Sequence, residues 1–145
     1  MKDLLRVAHK PVVTITNTAT VIEAVRAMFA AHVGAAAVVE NGRLQGIFTE
    51  RDVMARVVLE GRDPKTTRVR DVMTAKVATI AADTSPKQAV GIMLEHHFRH
   101  LPVVDAKGSV VGMLSMRHIM REHVDRLEQS VGALASYISA DGIGG

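Results

Sequence analysis

The chain has 145 residues, of which 48% are apolar, so a real core can form; aromatics are only 3% and Trp is absent, which leaves Val, Ile, Leu, Ala and eight Met to build it. The net charge of +3 is mild and the Lys and Arg are scattered, which argues against a nucleic-acid groove, and the aromatics are too few for a base-stacking platform. Cys is absent, so disulfides and thiolate metal sites are excluded.

From the N-terminus, Met1 to Ala8 has the makings of a short helix. The stretch Met1 to His9 is too short and too charged for a signal peptide. No apolar run in the chain approaches the roughly 20 residues of a membrane span, and the sequence reads as cytoplasmic, with neither membrane nor nucleic acid as partner. A β-branched strand follows at Val12 to Ile15. Thr20, with Glu23 three residues on, forms a capping box for a helix expected to bury Val21, Ala24, Val25, Met28 and Phe29. Ala35 to Val39 reads as a buried strand that turns at Asn41-Gly42 into Leu44 to Phe48, and a helix starts near Thr49. The polar stretch Glu60 to Arg70, with Gly61 and Pro64, reads as a linker.

The pattern then recurs. Ser85-Pro86-Lys87-Gln88 is a second capping box, with Pro at the first helical position. Leu101 to Val104 and Val110 to Leu114 form a hairpin around Asp105-Ala106-Lys107-Gly108, and a last helix runs from about Ser115 to Glu128 or beyond. The tail from Ser136 ends in Asp-Gly-Ile-Gly-Gly and is expected to be mobile at its end. Val12 to Val39 aligns with Val77 to Val104, so that Ala24, Val25, Met28 and His32 meet Ala89, Val90, Met93 and His97. After one added residue, Gly42, Gly46, Arg51 and Met54 meet Gly108, Gly112, Arg117 and Met120, and Thr49 meets Ser115. The chain thus divides into a first β-α-β-β-α repeat with its N-terminal segment (1–60), a linker (61–70), a second repeat (71–130) and a C-terminal tail (131–145). Met28, Met54, Met93, Met113 and Met120 fall on faces expected to be buried. His97 repeats His32, which suggests a helix-end role, and Arg117-His118 and Arg121-Glu122-His123 read as a solvated helix face. Among the histidines, His96 and His97 are adjacent and point to different helix faces, so no metal site is expected.

Four segments carry a family resemblance. Gly46-Ile-Phe-Thr49-Glu-Arg-Asp52 and Gly112-Met-Leu-Ser115-Met-Arg-His118 resemble the signature of CBS domains, as do Arg70-Asp71-Val72-Met73-Thr74 and His100-Leu101-Pro102-Val103-Val104-Asp105. The resemblance implies an α/β (α+β) fold: tandem CBS domains, or a Bateman module, with the two repeats related by a pseudo-twofold axis. It further implies a regulatory, non-catalytic, ligand-sensing module, with an adenine nucleotide (AMP, ADP, ATP or NAD(H)) in a cleft between repeats. No cofactor is required, and a homodimer is expected through the last helices of each repeat, around Val53 to Val58 and Ile119 to Val124. The competing reading is a partner-binding or scaffolding module whose clefts hold no nucleotide.

The chemistry of the motif bears on both readings. Thr49 sits where a strand becomes a helix, and a helix N-terminus welcomes an anion. Asp52, three residues on, can only accept hydrogen bonds, which suits a pair of ribose hydroxyls. The same two residues also make an ordinary capping arrangement. In the arrangement the resemblance implies, Thr49, Arg51 and Asp52 share a first cleft with Phe98, Arg99 and His100; Ile47, Val77, Ala78 and Pro102 wall a slot for the base, and Arg70 is a further phosphate candidate. The mirror cleft sets Met113, Ser115, Arg117 and His118 against Val12, Val13, Val33, Gly34 and Ala35. It departs from the family pattern at His118, where Asp is usual, and faces Gly34-Ala35 in place of Arg99-His100. The first cleft is therefore expected to hold nucleotide, and the second to be weaker.

Overall fold

The computed structural model describes residues 2–8 and 11–140; the Asp-Gly-Ile-Gly-Gly end of the expected tail lies outside the described residues. A short helix α1 (Lys2–Val7) leads into β1 (Thr14–Ile15), α2 (Val21–Ala31), β2 (Ala35–Glu40) and β3 (Arg43–Thr49). The helix after β3 begins as α3 (Glu50–Asp52) and loosens into a π-helical segment, Val53–Val58. Then come α4 (Val69–Val72), β4 (Thr74–Ala75), β5 (Ile80–Ala81), α5 (Pro86–His96), β6 (His100–Val104), β7 (Val110–Ser115) and the long α6 (Met116–Ala140). The tandem β-α-β-β-α repeats form one four-stranded sheet, β1-β2-β3-β4, and one three-stranded sheet, β5-β6-β7. In each, the first strand pairs parallel to the second and the hairpin is antiparallel, with a bulge at the equivalent positions Val38/Val39 and Val103/Val104.

Local chemistry sets these boundaries. Thr20 and Ser85 both make reciprocal capping boxes, with Glu23 and Gln88. His32 and His97 end α2 and α5 in the left-handed region, at φ 57 and 59, so the repeated histidines are C-caps. Asn41 and Gly42, both at positive φ, make the tight turn of the first hairpin. In α2, Val21, Ala24 and Met28 are buried, but Phe29 is 80% exposed. It lies about 100° round the helix from Met28, beyond the stripe that one sheet covers. Met28, Met93 and Met113 are core residues, as expected, whereas Met54 and Met120 stand 61% and 59% exposed on helices with solvent on that side.

Packing crosses the boundaries drawn in the sequence. Leu4 and Ala8 of the N-terminal segment belong to the core of the second repeat, with Ala89, Met93, Leu101 and Leu114. Val69 and Val72 belong to the core of the first, with Val21, Met28 and Phe48. The segment between repeats is tied down: Val21 and Ile22 donate N–H bonds to the carbonyls of Thr67 and Pro64, and Val69 and Arg70 donate to those of Ala19 and Asn17. The motif glycines admit these neighbours. A Cβ on Gly46 would lie 2.4 Å from the carbonyl oxygen of Thr74 in β4, and one on Gly112 would lie 3.0 Å from the Cβ of Ala8. A third cluster joins the two sheets, with Ala37, Ile47 and Met113 buried among Val12, Val39, Leu44, Val77 and Val110. Helix α6 continues to Ala140, so residues 131–140 are helical.

Candidate functional site

The two motif turns share one backbone plan. At the start of α3, the N–H of Glu50 donates to the carbonyl of Gly34 at 3.0 Å; at the start of α6, the N–H of Met116 donates to that of Arg99 at 2.9 Å. Each motif hydroxyl then caps its helix, Thr49 Oγ1 accepting from the N–H of Asp52 at 3.2 Å and Ser115 Oγ from the N–H of His118 at 3.4 Å.

Beyond that plan they diverge. Asp52 is only 5% exposed. One carboxylate oxygen accepts from the Thr49 N–H at 3.0 Å and from its hydroxyl at 3.2 Å. The other accepts from the Thr74 hydroxyl at 3.0 Å and lies 3.8 Å from Nε of Arg56, which also donates to the carbonyl of Met73 at 2.6 Å. The carboxylate therefore ties the helix start to β4, and the capping reading of Thr49 and Asp52 is realised. Neither residue lines either of the two cavities described below.

The main cavity, of about 890 Å³, lies between the repeats on the side of the second motif. This size is ordinary for a small-molecule site. It gathers Val13, Val33, Gly34, Ala35, Met113, Ser115, Arg117 and His118, which is the mirror-cleft set apart from Val12, itself packed in the inter-sheet cluster. Arg99 and His100, expected beside Thr49 and Asp52, line this cavity instead. Both sit where β6 starts, and His100 pairs with Ser115 across the hairpin, which turns them toward the end of β7. The remaining first-cleft residues are dispersed. Ile47 and Val77 pack between the sheets, Pro102 is fully buried, and Arg51, Arg70 and Ala78 are exposed away from the main cavity. Phe98 packs against the second core and stacks on His96, with ring centroids 5.3 Å apart.

Five wall residues had not been singled out for this site: His32, Glu50, Met116, Met120 and Arg121. Arg117, His118 and Arg121 follow helical spacing, which allows one wall as readily as a solvated face; only the opposite repeat makes it a wall. The lining holds three guanidinium groups, of Arg99, Arg117 and Arg121, against the single carboxylate of Glu50. That carboxylate lies over Gly34, where an added Cβ would meet Oε1 at 3.0 Å. Burial pushes the His100 imidazole below its ordinary value; Glu50 opposes this and Arg99 reinforces it. His100 is thus a neutral donor-acceptor beside a cation. A smaller cavity of about 420 Å³ at the opposite ends of the strands is lined by Arg43, Lys76, Val77 and Lys107, among others. Among the described residues no group of three or more His, Cys, Asp or Glu could hold a metal ion, and no helix is long and apolar enough to cross a membrane.

Comparison with known proteins agrees with the repeat architecture. The family model of the CBS domain matches twice, over residues 2–59 and 69–125. The chain is 36% identical over 128 residues to the mitochondrial CBS domain-containing protein CBSX3 of Arabidopsis thaliana, and 34% identical over 116 residues to an uncharacterized protein of Methanopyrus kandleri. Those matches cover 85% and 79% of this chain, which spans only 62% and 59% of those proteins' lengths. Among solved structures, the CBS-domain protein NE2398 is 32% identical, with a TM-score of 0.77, over 85% of this chain and 95% of its own. The CBS domain protein PAE2072 of Pyrobaculum aerophilum, solved in complex with AMP, is 26% identical with a TM-score of 0.74, over 87% and 96% of the two chains. With its repeats, its motif turns and both halves matched, the chain belongs to the CBS-domain family, as a tandem pair forming a Bateman module, which is a regulatory rather than catalytic unit.

Proposed function

We propose that this module senses an adenine nucleotide held in the cavity between the repeats, with Arg99, Arg117 and Arg121 drawing the phosphates and Ser115, His100 and His118 supplying hydrogen bonds. The observation that carries this reading is the excess of guanidinium over carboxylate groups in a cavity of about 890 Å³. Arginine presents a planar fork of donors suited to phosphate oxygens. Val13, Val33 and Met113 offer apolar wall for a base. The AMP complex of PAE2072, a relative with this fold, supports the ligand class. Regulation then follows if the nucleotide prefers one of two arrangements of the repeats or of two chains, since only differential affinity can shift such an equilibrium.

The test is calorimetry and thermal melting with AMP, ADP, ATP, NAD and NADH. One site per chain and a rise in melting temperature through mass action are expected. No heat and no shift at millimolar ligand would overturn the reading. A partner-docking role is favoured by the exposed apolar residues of α6, and a tight partner indifferent to nucleotide would decide for it.

A further inference from the structure

The smaller cavity, of about 420 Å³, shares no lining residue with the main one. Arg43, Lys76 and Lys107 line it, and among the described residues no carboxylate does. The three cations come from separate places in the fold. Arg43 opens β3 in the first sheet, Lys107 stands in the turn between β6 and β7 of the second, and Lys76 lies on the crossing from β4 to β5. Like charges gathered around one hollow repel one another, and the nearby carboxylates do not offset them. Asp105 turns back into its own hairpin, where one oxygen accepts from the N–H groups of Lys107 and Ser109, both at 2.9 Å. Glu40 is the backbone partner of Arg43 across the first hairpin but lies outside the cavity lining. Among the described residues none of the three cations is held in an ion pair.

The cluster is not a by-product of the repeat. When the two copies are aligned, Lys76 meets Pro11 and Arg43 meets Ser109, and Lys107 falls where the second copy has one residue more. Lys76 carries a further mark. Of the four non-glycine residues at positive φ among those described, His32 and His97 cap helices and Asn41 makes a hairpin turn, whereas Lys76, at φ 55, does neither. A bulky residue in the left-handed region is uncommon, and such strain gathers at ligand clamps.

We propose that this cavity binds a small anion bearing two or more phosphate groups, with Arg43 as a planar fork of donors and Lys76 and Lys107 as point charges. Gln45 and Thr79 add neutral donors from the wall. The lining has no aromatic side chain on which a base could stack, which separates this site from a nucleotide cleft. Leu44 and Val77, also in the lining, pack in the cluster that joins the two sheets. Cations from both sheets closing on one anion hold the two hairpin ends at one separation, and a ligand that prefers that separation shifts the repeats toward it.

Calorimetry on the whole chain with inorganic pyrophosphate tests the site. Pyrophosphate should bind at least about tenfold more tightly than inorganic phosphate, which is open to fewer charge-assisted contacts. Lys76→Asn with Lys107→Gln should weaken pyrophosphate about thirtyfold or more; Asn tolerates the left-handed backbone, so the crossing keeps its shape. Lys107→Gln alone, on an exposed turn, should weaken it about tenfold and keeps the test open if the double variant misfolds. Arg99→Ala should leave this lysine-dependent binding in place, and the lysine variants should leave AMP binding unchanged. No heat at millimolar pyrophosphate, affinity no better than that of phosphate, binding indifferent to the lysines, or binding lost with Arg99 would overturn the proposal. AMP titrated in parallel keeps the two readings apart: loss of either ligand's binding leaves the other site standing.

Discussion

In the first repeat the motif carboxylate is turned back into the structure that carries it. Asp52 accepts from Thr49 and Thr74 and is closed off from solvent. In the second, Ser115 and His118 occupy the same places in the turn but stand at a cavity wall with Arg99, Arg117 and Arg121. The difference originates outside the motifs. The first sheet gains β4 at its edge, which brings Thr74 over Asp52; the second sheet has three strands, with α1 against β7. Equivalent sequence positions therefore do unequal work, one holding the fold together and the other facing the cavity.

The glycines give the largest test of this contrast. Gly46→Ala would drive a Cβ into the Thr74 carbonyl, a backbone atom that cannot step aside without parting β3 from β4. A loss of about 3 kcal/mol in urea unfolding is expected, the upper end for overpacking. Gly112→Ala meets the Cβ of Ala8 most closely, with Leu5 and Val103 at ordinary contact distance; these are side chains rather than backbone, and about 1 kcal/mol is expected. Equal losses would contradict the asymmetry of the two sheet edges.

The motif acids and bases come next. Asp52→Ala would leave part-buried donors of Thr49 and Thr74 without their acceptor, at a cost of about 2 kcal/mol. His118→Ala, at a partly exposed cavity wall, should cost under about 1 kcal/mol. Unfolding curves that reverse this order would show that Asp52 is spared for a ligand.

Binding should divide the opposite way. Arg99→Ala should weaken nucleotide about thirtyfold, which corresponds to roughly 2 kcal/mol for a charge-assisted hydrogen bond. Thr49→Ala should alter affinity by less than about threefold. Calorimetry finding the larger loss at Thr49 would move the site to the first motif.

The smallest effect is on pH. The folded state holds His100 below its ordinary imidazole value, near 6.5 in an unfolded chain. Between those two values the unfolded chain binds more protons, so this contribution to stability is complete above about pH 6.5 and is lost as the pH falls below it. His100→Gln should flatten that slope by a fraction of a proton in melts taken between about pH 5 and 7. An unchanged slope would show that His100 is not buried against its proton. A phosphate bound beside His100 should raise its affinity for a proton, so nucleotide affinity should increase on mild acidification.

Much of this was legible from residues alone, because it rests on local interactions. The capping boxes at Thr20 and Ser85, the Asn41-Gly42 turn and the role of His32 and His97 at helix ends are settled within a few residues of chain. The repeat and the motif turns follow from spacing along one strand and one helix, and the residues of the motifs carry the family resemblance. Val13, Val33, Gly34, Ala35, Met113, Ser115, Arg117 and His118 line one cavity. What sequence could not determine was which long-range neighbour reached each group first. Thr74 over Asp52, Ala8 under Gly112, and Arg99 and His100 beside Ser115 are partnerships between segments far apart in the chain. Only tertiary packing fixes such pairs, since a polar group that is buried must take whatever partner the fold delivers, and here that choice decided which motif faces the cavity.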